Sequence, residues 1–185
     1  MFRFFAQAAV LVTAGLALGG CPMEQPKTAA PVKKPPAADY QQPVGQVAKP
    51  ANLSAICYNS ADLAIVRARM MQQEMSVATL QCQNAGGGRA LQGAYEAFIS
   101  KFGGELATNA RSLQQVAGRK RFNVDVLVTE FANRTAQKAP VDREFCSRSQ
   151  RTLEWALSPQ VTTLAQVPPP YDLGPDMNIH GCNAP

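Results

Sequence analysis

The chain has 185 residues, 46% of them hydrophobic and 17% charged, with 18 basic and 13 acidic side chains and one histidine. A single histidine excludes the usual zinc-hydrolase motifs, which need two or more. The positive excess is spread along the chain, and its tightest cluster, Arg119-Lys120-Arg121, is too short and too poor in interleaved aromatics for a nucleic-acid footprint; it reads as a solvated turn or as a contact for an acidic partner.

Residues 1–20 read as a targeting segment. Arg3 supplies a positive start, and Phe4 to Leu18 is mostly apolar but short for a membrane span. The segment ends in Leu18-Gly19-Gly20-Cys21, an aliphatic residue, two small residues and a cysteine. In these residues the chain resembles a bacterial lipoprotein precursor. The resemblance implies cleavage before Cys21 and lipidation of Cys21, which becomes the mature N-terminus. Several acyl tails anchor a lipoprotein stably, where one short acyl chain is marginal. Pro22 follows the cysteine in place of an aspartate, which by analogy with lipoprotein sorting favours the outer membrane over the inner one. The expected location is the cell envelope, with the domain facing the periplasm. Without Arg3 the mature chain carries a net charge of +4.

Residues 21–50 form a linker by composition. Pro22, Pro26, Pro31, Pro35, Pro36, Pro43 and Pro50 punctuate a run of alanine, glutamine and lysine with almost no large apolar residue. Such a stretch cannot bury enough surface to offset its ordering entropy, so it is expected to be disordered. At roughly 3.1 Å per residue in polyproline II, it could reach up to about 90 Å.

A helical domain is expected over 51–160. Its first helix lies between Cys57 and Cys82. Asn59 can cap it, with Tyr58 before the cap and Leu63 inside as a hydrophobic staple. Asn84-Ala85-Gly86-Gly87-Gly88 ends it. Leu63, Val66, Met70, Val77 and Leu80 form one apolar stripe, and Ala64, Ala68, Met71, Met75, Ala78 and Cys82 a second. Two stripes predict neighbours on two sides. Between them Arg67, Glu74 and Gln81 recur every seven residues. This polar line reads either as long side chains reaching water between packed neighbours or as a buried network that fixes register or binds a ligand.

A second helix is predicted from about Arg89 to Ala117, with Gly103-Gly104 marking a kink or a close helix approach. A third runs from Asn123 to about Lys138, although Phe122, Val124, Val126 and Val128 also alternate as a strand would. A fourth starts after Pro140 with Asp142 as its cap and stops at Pro159. Pro168-Pro169-Pro170 and Gly174-Pro175 make 161–185 an extended tail lying on the domain. The expected fold is therefore all-α, a disulfide-braced, four-helix up-down bundle.

No Gly-x-Ser-x-Gly elbow and no Gly-rich phosphate loop is present. His180 and Cys182 could form a nucleophile pair, and Met177, His180 and Cys182 could offer soft ligands to copper. A tail histidine beside a structural disulfide is the plainer reading, and no metal or cofactor is expected. Glu74, Glu96, Glu105 and Glu130 are the helical carboxylates that could flank a glycosidic bond, with nothing to mark them from surface charge. The Arg69-Met70-Met71-Gln72-Gln73-Glu74 run is similar to small exported helical proteins of unassigned function in proteobacteria, a likeness that carries no activity. The expected function is a non-enzymatic, membrane-tethered envelope lipoprotein, held by its N-terminal lipid, that contacts an envelope protein or the cell wall. The alternative is a periplasmic module binding a small molecule or metal in a groove lined by Met70, Met71 and Met75, and a cell-wall-acting enzyme ranks below both.

Four cysteines besides Cys21 allow three disulfide pairings. A continuous helix holds Cys57 and Cys82 about 37 Å apart at 1.5 Å per residue, against the roughly 4.4–6.8 Å a disulfide tolerates. Helices running up, down, up and down start the fourth where the first finishes. Cys146 then meets Cys82, and the tail returns Cys182 to Cys57.

Overall fold

The structure, a computed structural model, describes residues 56–182. The predicted leader of 1–20, Cys21 and the predicted linker of 21–50 lie outside the described residues. Strand β1 (Ile56–Tyr58) leads into α1 (Ser60–Gln81), followed by α2 (Gln92–Lys120), α3 (Val124–Lys138) and α4 (Phe145–Leu157); β2 (Ile179–Gly181) is the last element among the described residues. The fold is mostly helical rather than all-α. Beta1 and β2 pair in parallel, Ile56 opposite Ile179 and Tyr58 opposite Gly181. The sequence hides this pair, because three-residue strands carry too few positions to show a period.

Helix α1 begins as its residues dictate. The Asn59 side chain accepts a hydrogen bond from the Asp62 amide at 2.8 Å, satisfying a donor that the first turn leaves without a helical partner. At the other end Asn84 Oδ1 accepts from the Gly86 and Gly88 amides, and Gly87 takes a positive φ of 78°. Glycine adopts that conformation without steric penalty, so the glycine run closes a tight turn back to α2. Helix α1 packs on α2, α3 and α4. Val66, Met70, Met71, Met75, Val77, Ala78 and Cys82 are buried in the core, whereas Leu80 is exposed. The methionines expected to line a groove are core residues, so the Met-lined site is not formed. Their unbranched side chains instead fill space between several neighbours.

Helix α2 runs unbroken past the predicted kink, and a Cβ added at Gly103 or Gly104 would meet nothing within 4 Å. Neither glycine serves a close approach. The end of α2 returns to the start of α1. Arg119 pairs with Asp62 at 2.6 Å, and Lys120 Nζ donates to the Cys57 carbonyl at 2.8 Å. The basic cluster read as a solvated turn is thus partly used to clamp this end.

Segment 123–138 is helical, not a strand. Asn123 accepts from the Asp125 and Val126 amides, and Leu127 and Phe131 bury at helical spacing. Helix α4 starts later than predicted. Asp142 does not cap it; its Oδ1 accepts the Glu144 amide in the turn before. Lys101 Nζ, on α2, donates to the Ala156 and Ser158 carbonyls at the end of α4.

The segment after α4 is more than an extended tail. A 3-10 turn at Leu164–Gln166 carries a capping box from Thr163 to Gln166, and Leu164 donates its amide to Glu105 Oε2 at 3.0 Å. A second 3-10 turn, Pro175–Met177, precedes β2. Gly174 permits it: a Cβ there would lie 2.8 Å from the Ile179 carbonyl oxygen. Disulfides join Cys57 to Cys182 and Cys82 to Cys146, with Cα atoms 4.6 and 5.6 Å apart. These are the two pairs expected once the length of α1 excludes Cys57–Cys82 and alternating helix directions choose between the two pairings left. Among the described residues no helix is long and apolar enough to cross a membrane.

Candidate functional site

The polar line on α1 divides. Glu74 is fully buried, while Arg67 and Gln81 are exposed, so a buried line through all three is corrected to one buried carboxyl. Residues seven apart drift around a straight helix by about 20° per heptad, and the covering chain seals only the middle position. The cover is the segment at Tyr171, whose backbone amide donates to Glu74 Oε2 at 3.0 Å. Glu74 Oε1 has no partner among the described residues.

Burial drives the Glu74 pKa well above its ordinary value. The Tyr171 amide and Lys138 oppose the rise, and Asp172 adds to it. Desolvation dominates because the charged form loses water on every side. A protonated carboxyl in a sealed interior can hold a proton, but a substrate cannot reach it.

Tyr171 is the centre of the surrounding cluster. Its ring stacks on Phe145 with centroids 6.0 Å apart. Lys138 Nζ lies 5.4 Å and the Arg148 guanidinium 5.3 Å from the ring centroid, within range for cation–π attraction. The Tyr171 hydroxyl donates to Asp142 Oδ2 at 2.6 Å, and Arg148 reaches the same oxygen at 3.3 Å. Burial raises the Asp142 carboxyl, but hydrogen bonds from Tyr171, the Glu144 amide and Arg148 outweigh it and leave the pKa lowered. Burial and the bond to Asp142 push the Tyr171 hydroxyl up. Lys138 also faces Asp176 at 3.5 Å. The cluster joins α1, α3 and α4 to the C-terminal segment, and charge-assisted bonds of this kind are the stronger ones.

Periodicity does not identify these residues as a site. A signal was present, however: Arg134, Lys138 and Arg148 stand where the spacing from Leu127, Phe131 and Phe145 calls for apolar residues, and all three are buried. Inward cations require anions beside them: Glu130 faces Arg134, Asp142 faces Arg148, and the tail supplies Asp176 to Lys138.

The other sequence candidates do not converge. Cys182 is bonded to Cys57, Met177 is buried and His180 is exposed, so neither the nucleophile pair nor the soft-ligand set is assembled. Glu96 accepts from Gln92, Glu105 from the Leu164 amide, and Glu130 faces Arg134 at 3.4 Å. Among the described residues no three His, Cys, Asp or Glu side chains group as metal ligands.

Comparison with protein-family models, with curated proteins and with solved structures finds no match.

Proposed function

We propose that this chain is a lipid-anchored envelope protein whose domain acts as a non-enzymatic scaffold, contacting another envelope component at the end of a long tether. The observation that most supports this reading is that all four cysteines outside the leader motif are paired, as expected of a protein exported to an oxidising compartment. The Leu18-Gly19-Gly20-Cys21 motif supplies the anchor and the proline-rich 21–50 the reach. In this reading the helices form an up-down bundle. Two contacts support it: Lys120, at the end of α2, donates to the Cys57 carbonyl, and Cys146, at the start of α4, is bonded to Cys82.

Two measurements test the proposal. Cys21→Ser is expected to release the protein from the membrane fraction into the soluble periplasmic fraction; retention after a high-salt wash would replace the lipid anchor with an uncleaved signal anchor. The tethered wild type, used as bait on detergent-solubilised envelopes, should recover a specific partner. Recovery of none, together with turnover of a cell-wall fragment by the pure protein, would overturn the scaffold reading in favour of an enzyme.

A further inference from the structure

A groove runs along α1 beside the C-terminal segment. It comprises two clefts that share Ala64, Ala68, Leu164 and Ala165 in their linings. The cleft nearer the start of α1 has a volume of about 370 Å³, and Leu63, Val167, Pro168 and Pro169 give it apolar walls. Its neighbour, of about 350 Å³, extends over α2 past Gly104 and Thr108. Each lies within the size range of small-ligand sites.

One charged side chain lines the first cleft, Arg67. Half of that side chain is exposed, and its carboxylate neighbour Asp172 stands 3.7 Å away, beyond hydrogen-bond range. Asp172 Oδ1 also accepts the Gly174 amide at 3.0 Å. A guanidinium carries five donors in a planar fork; one long ionic contact engages little of it and leaves the rest to water, which a ligand oxyanion can displace. The position therefore combines an under-neutralised cation with an apolar trough.

We propose that this cleft binds a small amphipathic anion, with a single oxyacid head on Arg67 and a short apolar body against Leu164, Val167, Pro168 and Pro169. A longer body passes over Ala64 and Ala68 into the second cleft. A guanidinium pairs bidentately with carboxylate or phosphate, so the shared chemistry is an oxyanion on an alkyl chain. The small side chains of Ala64 and Ala68 leave the trough open, and Arg67 orients the ligand.

The test uses the mature full-length chain carrying Cys21→Ser, so that no detergent competes for the cleft. Nitrogen-15 NMR titrations with sodium octanoate, monooctyl phosphate and 1-octanol compare two heads and a neutral control. The amide signals of Ala64, Ala68 and Ala165 are expected to shift saturably with at least one anion. Octanoate alone identifies a carboxylate head and octyl phosphate alone a phosphate head. Octanol should bind about tenfold more weakly or worse, and Arg67→Ala should weaken the anion by about tenfold or more. Asp172→Asn removes the competing carboxylate and should tighten binding severalfold, a gain that a damaged fold cannot imitate. Ala64→Trp, at an exposed position, should block the cleft while leaving the far-UV circular dichroism unchanged. Octanol binding as tightly as the anions, an Arg67→Ala affinity equal to wild type, or no saturable shift with any probe would overturn the proposal.

Discussion

Reduction of both disulfides is expected to unfold the domain at 37 °C. The bridges span sequence separations of 125 and 64 residues. Chain-entropy arguments assign loops of that length about 4–5 kcal/mol each. The Cys82–Cys146 loop is nested inside the Cys57–Cys182 loop, so the two effects overlap and their sum is smaller than twice that figure. Small domains have a total stability of about 5–15 kcal/mol, so losing both bridges removes most of it. Single-bridge variants should separate the contributions in urea melts. Cys82→Ala/Cys146→Ala is expected to lose about 3–4 kcal/mol with the fold retained. Cys57→Ala/Cys182→Ala should lose at least as much and also release the β1–β2 pair, because two three-residue strands cannot hold together on backbone bonds alone. Proteolysis should then trim the chain after Met177 in that variant and not in the other. Non-reducing peptide maps of the wild type should contain the 57–182 and 82–146 peptides. A peptide joining Cys57 to Cys82 would contradict a continuous α1.

Glu74→Gln is expected to stabilise the protein at neutral pH and to remove a slope in its stability against pH. The Glu74 pKa is raised well above 4.5 by burial. Between 4.5 and that raised value the unfolded chain has released the proton and the folded chain still holds it. The unfolded state then binds fewer protons, so stability falls as pH rises, by up to about 1.4 kcal/mol per pH unit. Glutamine keeps an acceptor for the Tyr171 amide and cannot ionise. The variant should therefore lie closest to wild type near pH 4.5 and gain on it as pH rises. Urea midpoints measured from pH 5 to pH 8 test this, a window that lies above the region where Asp142, with its lowered pKa, loses its own contribution. A parallel slope in wild type and Glu74→Gln would show that Glu74 is ionised in the fold. Glu74→Leu makes the complementary point: it cannot ionise either but leaves the buried Tyr171 amide without an acceptor, so it should lie about 1–3 kcal/mol below Glu74→Gln at every pH.

The helices were legible because their information is local. Asn59 and Asn123 are capping residues followed by apolar residues at spacings of three and four, and each opens a helix in the structure. The disulfide pairing was legible for a related reason. The length of α1 follows from residue count, and distance alone then removes one of the three pairings. Asp142 shows the limit of that reasoning. As a local signal it resembled a helix cap, but it serves Tyr171 and Arg148, residues brought to it from further along the chain.

Glu74 shows the same limit from the other side. Arg67, Glu74 and Gln81 look alike in sequence, with equal spacing and similar polarity. Only the C-terminal segment decides which is sealed, and it lies 97 residues away at the Tyr171–Glu74 bond. The cleft beside Arg67 depends on the same segment, whose Leu164 and prolines form a wall that no periodicity in α1 implies. By itself the sequence determined the four helices and that Cys57 cannot meet Cys82, since each rests on neighbouring residues or on the length of one helix. The tertiary structure decided the β1–β2 pairing, the burial of Glu74 and the shape of the Arg67 cleft, because each depends on where a distant segment, with no regular pattern of its own, comes to rest.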